Sequence, residues 1–373
     1  MLGDSTNTSF QRKSNELDLG EDQEFCRVAT IDIGTNSTHL LIAKLEPKLN
    51  TFSIELAEKS TTRLGERDPD TGELTSLAMN RAFLTLKRFK DLSESYKVES
   101  LIIAATSAVR EASNGRLFIS EIKEKIGLDV ELISGAEEAR LIYLGVLSGM
   151  QFGNKPHLVL DIGGGSTELI LADSCEARAL TSTKIGAVRL QREFIKKDPI
   201  SSQTEFFLRS FIRGSMESAI DKVSKRMKVG EEPVLVATSG TAMAIGGLIS
   251  NKENHIQPKL QGYKISRNNL DNIVNQLIKM TPSERSQLSS LSERRSEIIV
   301  PGALILQTIM TMINVNEFVL SERALREGLV VDWMCRNNYL KDQLSFQGSI
   351  RERTVHHQSR RFGVNSKRSK RVS

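Results

Sequence analysis

The sequence predicts an α/β protein built from two copies of one domain that face each other across a cleft. Its 373 residues exceed the roughly 250 to 300 at which a single hydrophobic core stops growing. Three β-rich runs followed by alternating helical and strand patterns occur twice. Segments 30–43 (TIDIGTNSTHLLIA) and 159–172 (VLDIGGGSTELILA) share seven identities in fourteen positions at an offset of 129. So long a repeat indicates a duplicated domain, and interdomain clefts often bind ligands.

The first copy combines short β-rich runs with two helical patterns. Val, Ile and Thr between turn residues predict strands, and apolar residues repeating every three or four positions predict helices. The predicted order is strands at 27–33, 38–45 and 51–59, a helix at 76–93, a strand at 101–105, a helix at 117–126 and a strand at 129–133. The first three strands are expected to pair in an antiparallel way.

The second copy repeats this order and then continues. Its predicted elements are strands at 157–161, 168–172 and 177–183, a helix at 202–228, strands at 234–238 and 318–320, and a final helix at 323–339. The most apolar stretch, 298–315, contains Pro301 and Gly302 and is expected to be a buried helix rather than a membrane span. We expect the first domain at 25–142 and the second at 143–340, with the final helix packing on the first domain.

The start of the chain and its cysteines indicate the compartment. Residues 1–24 are polar and lack the basic start and apolar core of a signal peptide, so a disordered segment and a cytoplasmic protein are expected. The three cysteines form no CxxC pair, which suits a reducing compartment. The five histidines are scattered, so no zinc site is expected.

The net charge of +5 is concentrated at the end of the chain. Residues 351–373 hold eight Lys or Arg against one acid, Glu352, so this segment carries +7 and the remainder about −2. A basic, aromatic-poor segment such as 341–373 is typically a disordered, solvated tail. The alternative is a salt-sensitive tether for a polyanion, either a phosphate polymer or, weakly, nucleic acid.

The glycine-rich turn at 163–166 is the first candidate site. Glycine lets backbone N–H groups approach an anion closely, so this turn can cradle a phosphate. The alternative is a tight hairpin, the commonest role of Gly and Ser between strands. A hairpin alone does not need carboxylates on both sides, and here Asp161 precedes the turn and Glu168 follows it. Two carboxylates beside a phosphate-binding turn are what a hard ion such as Mg²⁺ requires.

The segment ISGAEEARLIY at 133–143 contains a second candidate. Ser134 and Glu137 have the spacing of a helix capping box, and Arg140 can pair with Glu137. Glu138 has no such explanation, because its neighbours three and four positions later are apolar and place it on an inward face. Burial raises the pKa of a carboxyl group towards the range of a general base. The spacing leaves a catalytic base and a buried ion pair open.

Two further segments place anion-binding groups where strands end. Arg110 in ATSAVR follows an apolar strand and could grip an anion with two N–H groups, although an ordinary surface ion pair is the alternative. Gly240 and Thr241 in ATSGTA also follow a strand and open a helix, whose N-terminal amides favour phosphate. Simple N-capping is the alternative there.

Together these segments resemble the blocks of the Ppx/GppA family, which comprises exopolyphosphatases and guanosine pentaphosphate phosphatases of the actin-like superfamily. The blocks occur in the family's order between about residues 27 and 335: DIGTNSTHLLIA, TSAVREA, ISGAEEARLIYLGV, LDIGGGSTEL, ATSGT, LSERRSEIIVPGA and SERALREG. The resemblance implies two ribonuclease-H-like (actin-like) domains, each a mixed sheet flanked by helices, with the active site in the interdomain cleft.

The resemblance also implies roles for individual residues. Glu138 would be the general base that activates water, and Asp161 and Glu168 would hold Mg²⁺ or Mn²⁺. The phosphate-binding residues would be Asn36, Ser37, Arg110, Gly163, Gly164, Gly165, Ser166, Gly240 and Thr241. A homodimer is expected from the same resemblance.

The implied reaction is hydrolysis of the terminal phosphoanhydride of inorganic polyphosphate. Guanosine pentaphosphate is the alternative substrate, because both molecules present a terminal phosphoanhydride. A phosphotransferase acting on a phosphate acceptor and a non-enzymatic polyphosphate sensor are further alternatives. No His-Asp dipeptide occurs, so the chain resembles the short family members that lack a helical HD-type domain. Processive action on very long polymers is therefore not expected.

Overall fold

A computed structural model describes residues 25–46, 51–153, 155–253 and 259–340, without the side chains of residues 252 and 253. The predicted disordered segment at 1–24 and the basic tail at 341–373 lie outside the described residues. The chain forms two mixed sheets flanked by helices, as predicted. In this part of the chain, no helix is long and apolar enough to cross a membrane.

The first sheet has five strands in the order β3-β2-β1-β4-β5. The first three strands pair in an antiparallel way, as predicted, whereas β4 runs parallel to β1 and β5 runs parallel to β4. The strands are β1 (Cys26–Ile33), β2 (Thr38–Glu46), β3 (Thr51–Ser60), β4 (Ser100–Ala105) and β5 (Glu131–Leu132). The helices of this half are α1 (Ser76–Ser95), α2 (Ser107–Arg110), α3 (Gly115–Ile126) and α4 (Gly135–Gly149).

The second sheet has six strands in the order β10-β11-β9-β6-β7-β8 and repeats the pairing of the first. Strands β6, β7 and β8 are antiparallel, and β9 runs parallel to β6. The strands are β6 (His157–Ile162), β7 (Thr167–Ala172), β8 (Ala177–Thr183), β9 (Val234–Thr238), β10 (Lys264–Ser266) and β11 (Glu317–Leu320). The helices are α5 (Ala187–Phe194), α6 (Ser202–Ser224), α7 (Ser239–Glu253), α8 (Arg267–Lys279), α9 (Pro282–Ser286), α10 (Glu293–Ser296), α11 (Ile299–Met312) and α12 (Leu325–Arg336).

Helices α4 and α12 join the two halves of the molecule. Both contribute to one apolar cluster that also contains residues of β1, β2, β6 and β7. Arg140 of α4 binds Glu137 and also reaches Asp332 of α12, at 2.6 Å. The boundary that we expected after residue 142 falls inside α4, which is a single continuous helix. Helix α11 is buried along nearly its whole length, as its apolar sequence predicts.

The crossing of α4 and α12 depends on two glycines. A Cβ atom added at Gly145 would overlap the carbonyl oxygen of Ala324, and one added at Gly328 would overlap the carbonyl oxygen of Leu141. Both obstacles are backbone atoms, which cannot rotate away. The two helices therefore approach more closely here than any larger residue allows.

We expect Gly145→Ala to lower the free energy of unfolding by an amount at the upper end of the ~1–3 kcal/mol typical of overpacking. Chemical denaturation measures this change. Gly214→Ala is the matched control. Gly214 is an exposed residue of α6, and no atom lies within 4 Å of a Cβ added there. That control should be neutral or stabilising, since Ala favours a helix over Gly. Equal effects of the two substitutions would contradict the close crossing.

Candidate active site

A cavity of about 270 Å³ lies between the two halves and is lined by both turns of the internal repeat. The first turn joins β1 to β2 and contributes Asn36 and Ser37, and the second joins β6 to β7 and contributes residues 163–166. The two turns close in the same way: Gly34 N donates to Ser37 O at 3.2 Å, and Gly163 N donates to Ser166 O at 3.0 Å. The repeat detected in the sequence thus forms the two opposing walls of one cavity.

Each turn is framed by a cross-strand pair of polar side chains. Asp161 of β6 lies opposite Glu168 of β7, and Asp32 of β1 lies opposite His39 of β2. Directly opposite residues of antiparallel strands project on the same face, and like charges in that arrangement repel. The second turn therefore carries two adjacent carboxyl groups, whereas the first carries one carboxyl group and an imidazole.

The carboxyl groups of the cavity have raised pKa values. Burial raises the pKa of Asp32 to about 7, with further contributions from Glu138 and Asp161 against an opposing one from Arg326. Burial and Glu138 raise the pKa of Asp161 to about 7. The pKa of Glu168 is raised well above its ordinary value by burial, Glu138 and Asp161, although Glu168 accepts a hydrogen bond from Ser182 at 2.7 Å. These carboxyl groups therefore resist ionisation unless a cation compensates their charge.

The carboxyl groups fit a divalent cation that is held jointly by protein and substrate. The Oδ1 atom of Asp32 is buried without a hydrogen-bond partner. No group of three or more His, Cys, Asp or Glu side chains among the described residues could hold an ion. Mg²⁺ commonly binds one or two carboxylates together with substrate phosphates and water rather than an all-protein cage. The carboxyl groups of Asp161 and Glu168 meet that requirement, because they line the same cavity as the two turns.

Glu138 lies near the start of α4 and faces the same cavity. Ser134 caps the helix by accepting a hydrogen bond from Glu137 N at 3.2 Å, which is one half of the predicted capping box, whereas the Glu137 carboxylate binds Arg140 rather than the start of the helix. Glu138 Oε2 accepts a hydrogen bond from Arg110 Nη1 at 3.0 Å. Burial raises the pKa of Glu138, and Arg110 opposes this rise. The result is a buried carboxylate held in one orientation by a guanidinium.

Cationic groups also line the cavity. Lys59, Arg295 and Arg326 are lining residues, together with His39. Burial and the charges of Arg326, Lys59 and Arg295 together lower the pKa of His39 to about 3, so this imidazole is neutral near pH 7. Burial, Arg295 and Arg326 lower the pKa of Lys59 to about 8. The cavity therefore combines buried carboxyl groups with three cations.

Arg295 lies against the start of α7. A Cβ atom at Gly240 would overlap the Arg295 guanidinium, so a larger residue here would displace this side chain from its observed position. No hydrogen bond or salt bridge joins the Arg295 side chain to another described residue, and burial lowers the pKa of its guanidinium. A buried cation without an acidic partner is costly unless an anion completes its environment.

Comparisons with known proteins agree with this architecture. The sequence model of the Ppx/GppA phosphatase family matches residues 41–337. The chain belongs to the Ppx/GppA phosphatase family. This membership confirms the resemblance seen in the sequence motifs.

Individual relatives of the Ppx/GppA family cover most of the chain. Exopolyphosphatase 1 of Mycobacterium leprae is 28% identical over 305 residues, which are 82% of this chain and 88% of the relative. A guanosine-5′-triphosphate,3′-diphosphate pyrophosphatase of Vibrio vulnificus is 28% identical over 348 residues, which are 92% of this chain and 65% of the relative. The crystal structure of an exopolyphosphatase from Cytophaga hutchinsonii superposes with a TM-score of 0.77 at 28% identity, covering 84% of this chain and 98% of that chain.

Most of the Ppx/GppA site residues that the sequence predicts line this cavity between the two halves. These are Asn36, Ser37, Glu138, Asp161, Gly163, Gly164, Gly165, Ser166, Glu168 and Gly240. Arg110 does not line it and instead contacts Glu138 and the carbonyl oxygen of Ile133, at 2.8 Å. Thr241 is buried beneath the cavity, where an added Cβ at Gly302 would meet its hydroxyl at 2.8 Å.

Several residues that line the cavity received no role from the sequence, among them Asp32, His39, Lys59, Arg295 and Arg326. Asp32 aligns with Asp161 at the repeat offset of 129, and this signal was sufficient to find it. His39 aligns with Glu168 at the same offset, but the change of residue type hides the match. Arg295 lies in the family block LSERRSEIIVPGA and Arg326 in the block SERALREG, whereas no sequence signal identifies Lys59.

The raised pKa values predict that any stabilisation by Mg²⁺ would depend on pH. A carboxyl group whose pKa is higher in the folded state contributes stability that is complete below pH ~3.9 and is lost as pH rises through about 7. If these carboxylates bind Mg²⁺, the ion would take the place of the lost protons, so it should raise the melting temperature more at pH 8 than at pH 5.5, measured by differential scanning fluorimetry. The same shift at both pH values would contradict the prediction.

Proposed function

We propose that this phosphatase is a Mg²⁺-dependent hydrolase that releases orthophosphate from the end of inorganic polyphosphate. The observation that carries the proposal is the position of Glu138. Its carboxylate is buried, is oriented by Arg110 and faces the cavity that both glycine-rich turns line. A general base must be oriented, must reach its proton and must have a pKa near the working pH.

The proposed reaction needs one proton transfer and one displacement. Glu138 accepts a proton from water, and the water oxygen attacks the terminal phosphorus in line with the bond that breaks. Backbone N–H groups at 164–166 and the hydroxyls of Ser37 and Ser166 donate to the equatorial oxygens, where negative charge develops. Fixed donors in a site shielded from water contribute most to such electrostatic catalysis. The shortened chain leaves with the bridging oxygen.

Asp161 and Glu168 are the proposed metal ligands, and Asp32 lines the same cavity. The bound ion, Mg²⁺ or Mn²⁺, would neutralise charge on the phosphate oxygens. A hydrogen bond from Ser182, at 2.7 Å, holds the Glu168 carboxylate in place.

The cations of the cavity are proposed to bind the phosphates next to the terminal one. Arg295 has no acidic partner among the described residues, and Lys59 and Arg326 share the cavity with it. An incoming anion would relieve the repulsion that lowers the Lys59 pKa. The phosphates next to the terminal one would then lie beside these cations.

Guanosine pentaphosphate is the second candidate substrate, because one relative of this chain is named for acting on a guanosine phosphate. The match spans 88% of the mycobacterial exopolyphosphatase but 65% of that other relative. We favour polyphosphate for this reason.

The test compares phosphate release from polyphosphate of several lengths and from guanosine pentaphosphate, with and without Mg²⁺. We expect higher specific activity on polyphosphate and little release without the ion. A strong preference for the nucleotide would replace the proposed substrate while keeping the chemistry. Release that requires ADP as acceptor would indicate a phosphotransferase, and binding without release would indicate a sensor.

A further inference from the structure

A second cavity, of about 330 Å³, adjoins the first. Three residues line both cavities: Thr35, Ser107 and Gly165. Thr35 lies in the β1–β2 turn, Ser107 begins α2, and Gly165 lies in the β6–β7 turn. The wall between the two cavities is therefore made of one glycine and two small hydroxyl residues contributed by both halves of the molecule.

This wall is thin and closely packed. A Cβ atom at Gly165 would lie 2.6 Å from Ser107 Oγ and 2.8 Å from Thr35 Oγ1. The hydroxyl groups of Ser107 and Thr35 thus pack directly against the Gly165 backbone, with no bulky side chain between them. Because Thr35 and Gly165 belong to different halves, a small relative movement of the halves would separate them.

The two cavities open in different places. The rim of the first includes the exposed residues Lys59 and Glu322, from the end of β3 and the segment before α12. The rim of the second includes exposed Pro69, Arg192 and Glu193, from the β3–α1 connection and from α5. A molecule in the second cavity can therefore leave without passing the mouth of the first.

Three arginines line the second cavity: Arg67, Arg189 and Arg192. Burial lowers the pKa of Arg67, and the charges of Arg189 and Arg192 lower it further. The acids nearby are Asp68 and Glu193, which line the cavity, and Glu111, which pairs with Arg189 at 2.6 Å. Asp68 Oδ1 is already occupied by the backbone N–H groups of its own turn.

The arginines also hold the dividing wall. Arg189 Nε donates to the carbonyl oxygen of Gly165 at 3.0 Å, and Arg67 Nη2 donates to that of Ser107 at 3.3 Å. Arg192 crosses between the halves and donates to the carbonyl oxygens of Gly65 and Arg67. A guanidinium carries five N–H donors, and these bonds leave donors free on each of the three. An anion that binds these groups would compete with the wall for their N–H donors.

We propose that the second cavity binds the orthophosphate released in the first and is its exit. This inference rests on the proposed function, in which orthophosphate forms between the two turns while the shortened polymer stays bound to the cations of the first cavity. The entrance is then blocked by substrate. An exit lined by guanidinium groups, which pair well with phosphate, lets the product leave while the polymer stays bound.

The direct test is calorimetric titration of the full chain with inorganic phosphate. Arg192→Met should weaken phosphate binding in the second cavity at least tenfold, and Arg192→Lys should restore part of the loss. Arg209→Met is the matched control, because Arg209 lies on α6 beside Glu205, lines neither cavity, and should leave binding unchanged. Equal phosphate affinity in Arg192→Met and the wild type would overturn the proposal. Melting temperatures identify any variant that fails to fold.

A kinetic test separates this proposal from the proposed function. With a separate exit, orthophosphate inhibits polyphosphate hydrolysis noncompetitively, and Arg192→Met weakens that inhibition. Purely competitive inhibition that the substitution does not change would overturn the exit. If the protein releases no phosphate from any substrate, the proposed function fails, and the calorimetric titration still decides whether the second cavity is a phosphate site.

Discussion

Replacing Glu138 by Gln is expected to lower the kcat of phosphate release about 100- to 10,000-fold, the range that a positioned general base contributes. Glutamine has nearly the same shape and its carbonyl oxygen can still accept the Arg110 hydrogen bond, but it cannot take a proton from water. Substrate contacts with the two turns remain, so KM should change little. Steady-state phosphate release with Mg²⁺ present measures both constants.

The neighbouring Glu137 provides the control for this substitution. Its carboxylate binds Arg140 and does not line the cavity, so Glu137→Gln should keep most of the activity. Removing the Glu138 charge should also lower the pKa values of Asp161 and Glu168, because Glu138 raises both. Unchanged phosphate release in Glu138→Gln would remove this residue from the mechanism.

Asp161→Asn and Glu168→Gln should each reduce activity on the order of 100-fold or more. A catalytic metal ion contributes several kcal/mol of charge stabilisation in the transition state, and each 1.36 kcal/mol corresponds to a factor of ten. The diagnostic result is a higher Mg²⁺ concentration for half-maximal activity. A titration of activity against Mg²⁺ measures it.

The same substitutions should not destabilise the metal-free protein. Asp161 and Glu168 repel each other across the β6–β7 pair, so removing one charge relieves repulsion and should leave the melting temperature without Mg²⁺ unchanged or higher. Glu176→Gln, an exposed position in the β7–β8 connection, is the control and should alter neither property. An unchanged Mg²⁺ titration in both active-site variants would contradict their role as ligands.

Sequence periodicity predicts the bounds of the strands that carry the site to within a few residues, because these strands are short, rich in β-forming residues and bounded by turn residues. The β1–β2 and β6–β7 hairpins were found at nearly their observed bounds, and the repeat placed them opposite each other. Strand β5 is shorter than the predicted run, with only Glu131 and Leu132 paired. The short helices α9 and α10, which bring Arg295 to the cavity, were not predicted, because four or five residues are too few to show helical periodicity.

Contacts between distant residues explain what the sequence could not predict at the site. Arg110 has the residue type and position of a phosphate ligand, yet its observed partner is Glu138, which lies 28 residues later in the chain and is brought close only by the tertiary fold. Arg295 reaches the cavity because Gly240 leaves space for its guanidinium. His39 occupies the position of Glu168 in the other half, and no local pattern distinguishes a cavity imidazole from one in the core.

Hydrolysis of polyphosphate in water enriched in ¹⁸O tests the central claim most directly. If Glu138 activates water to attack the terminal phosphorus, each orthophosphate released from the first turnover onward carries one ¹⁸O atom. The shortened polymer then stays unlabelled, and Glu138→Gln loses the signal together with the activity. Label at the new end of the polymer, or orthophosphate without label, would contradict the account.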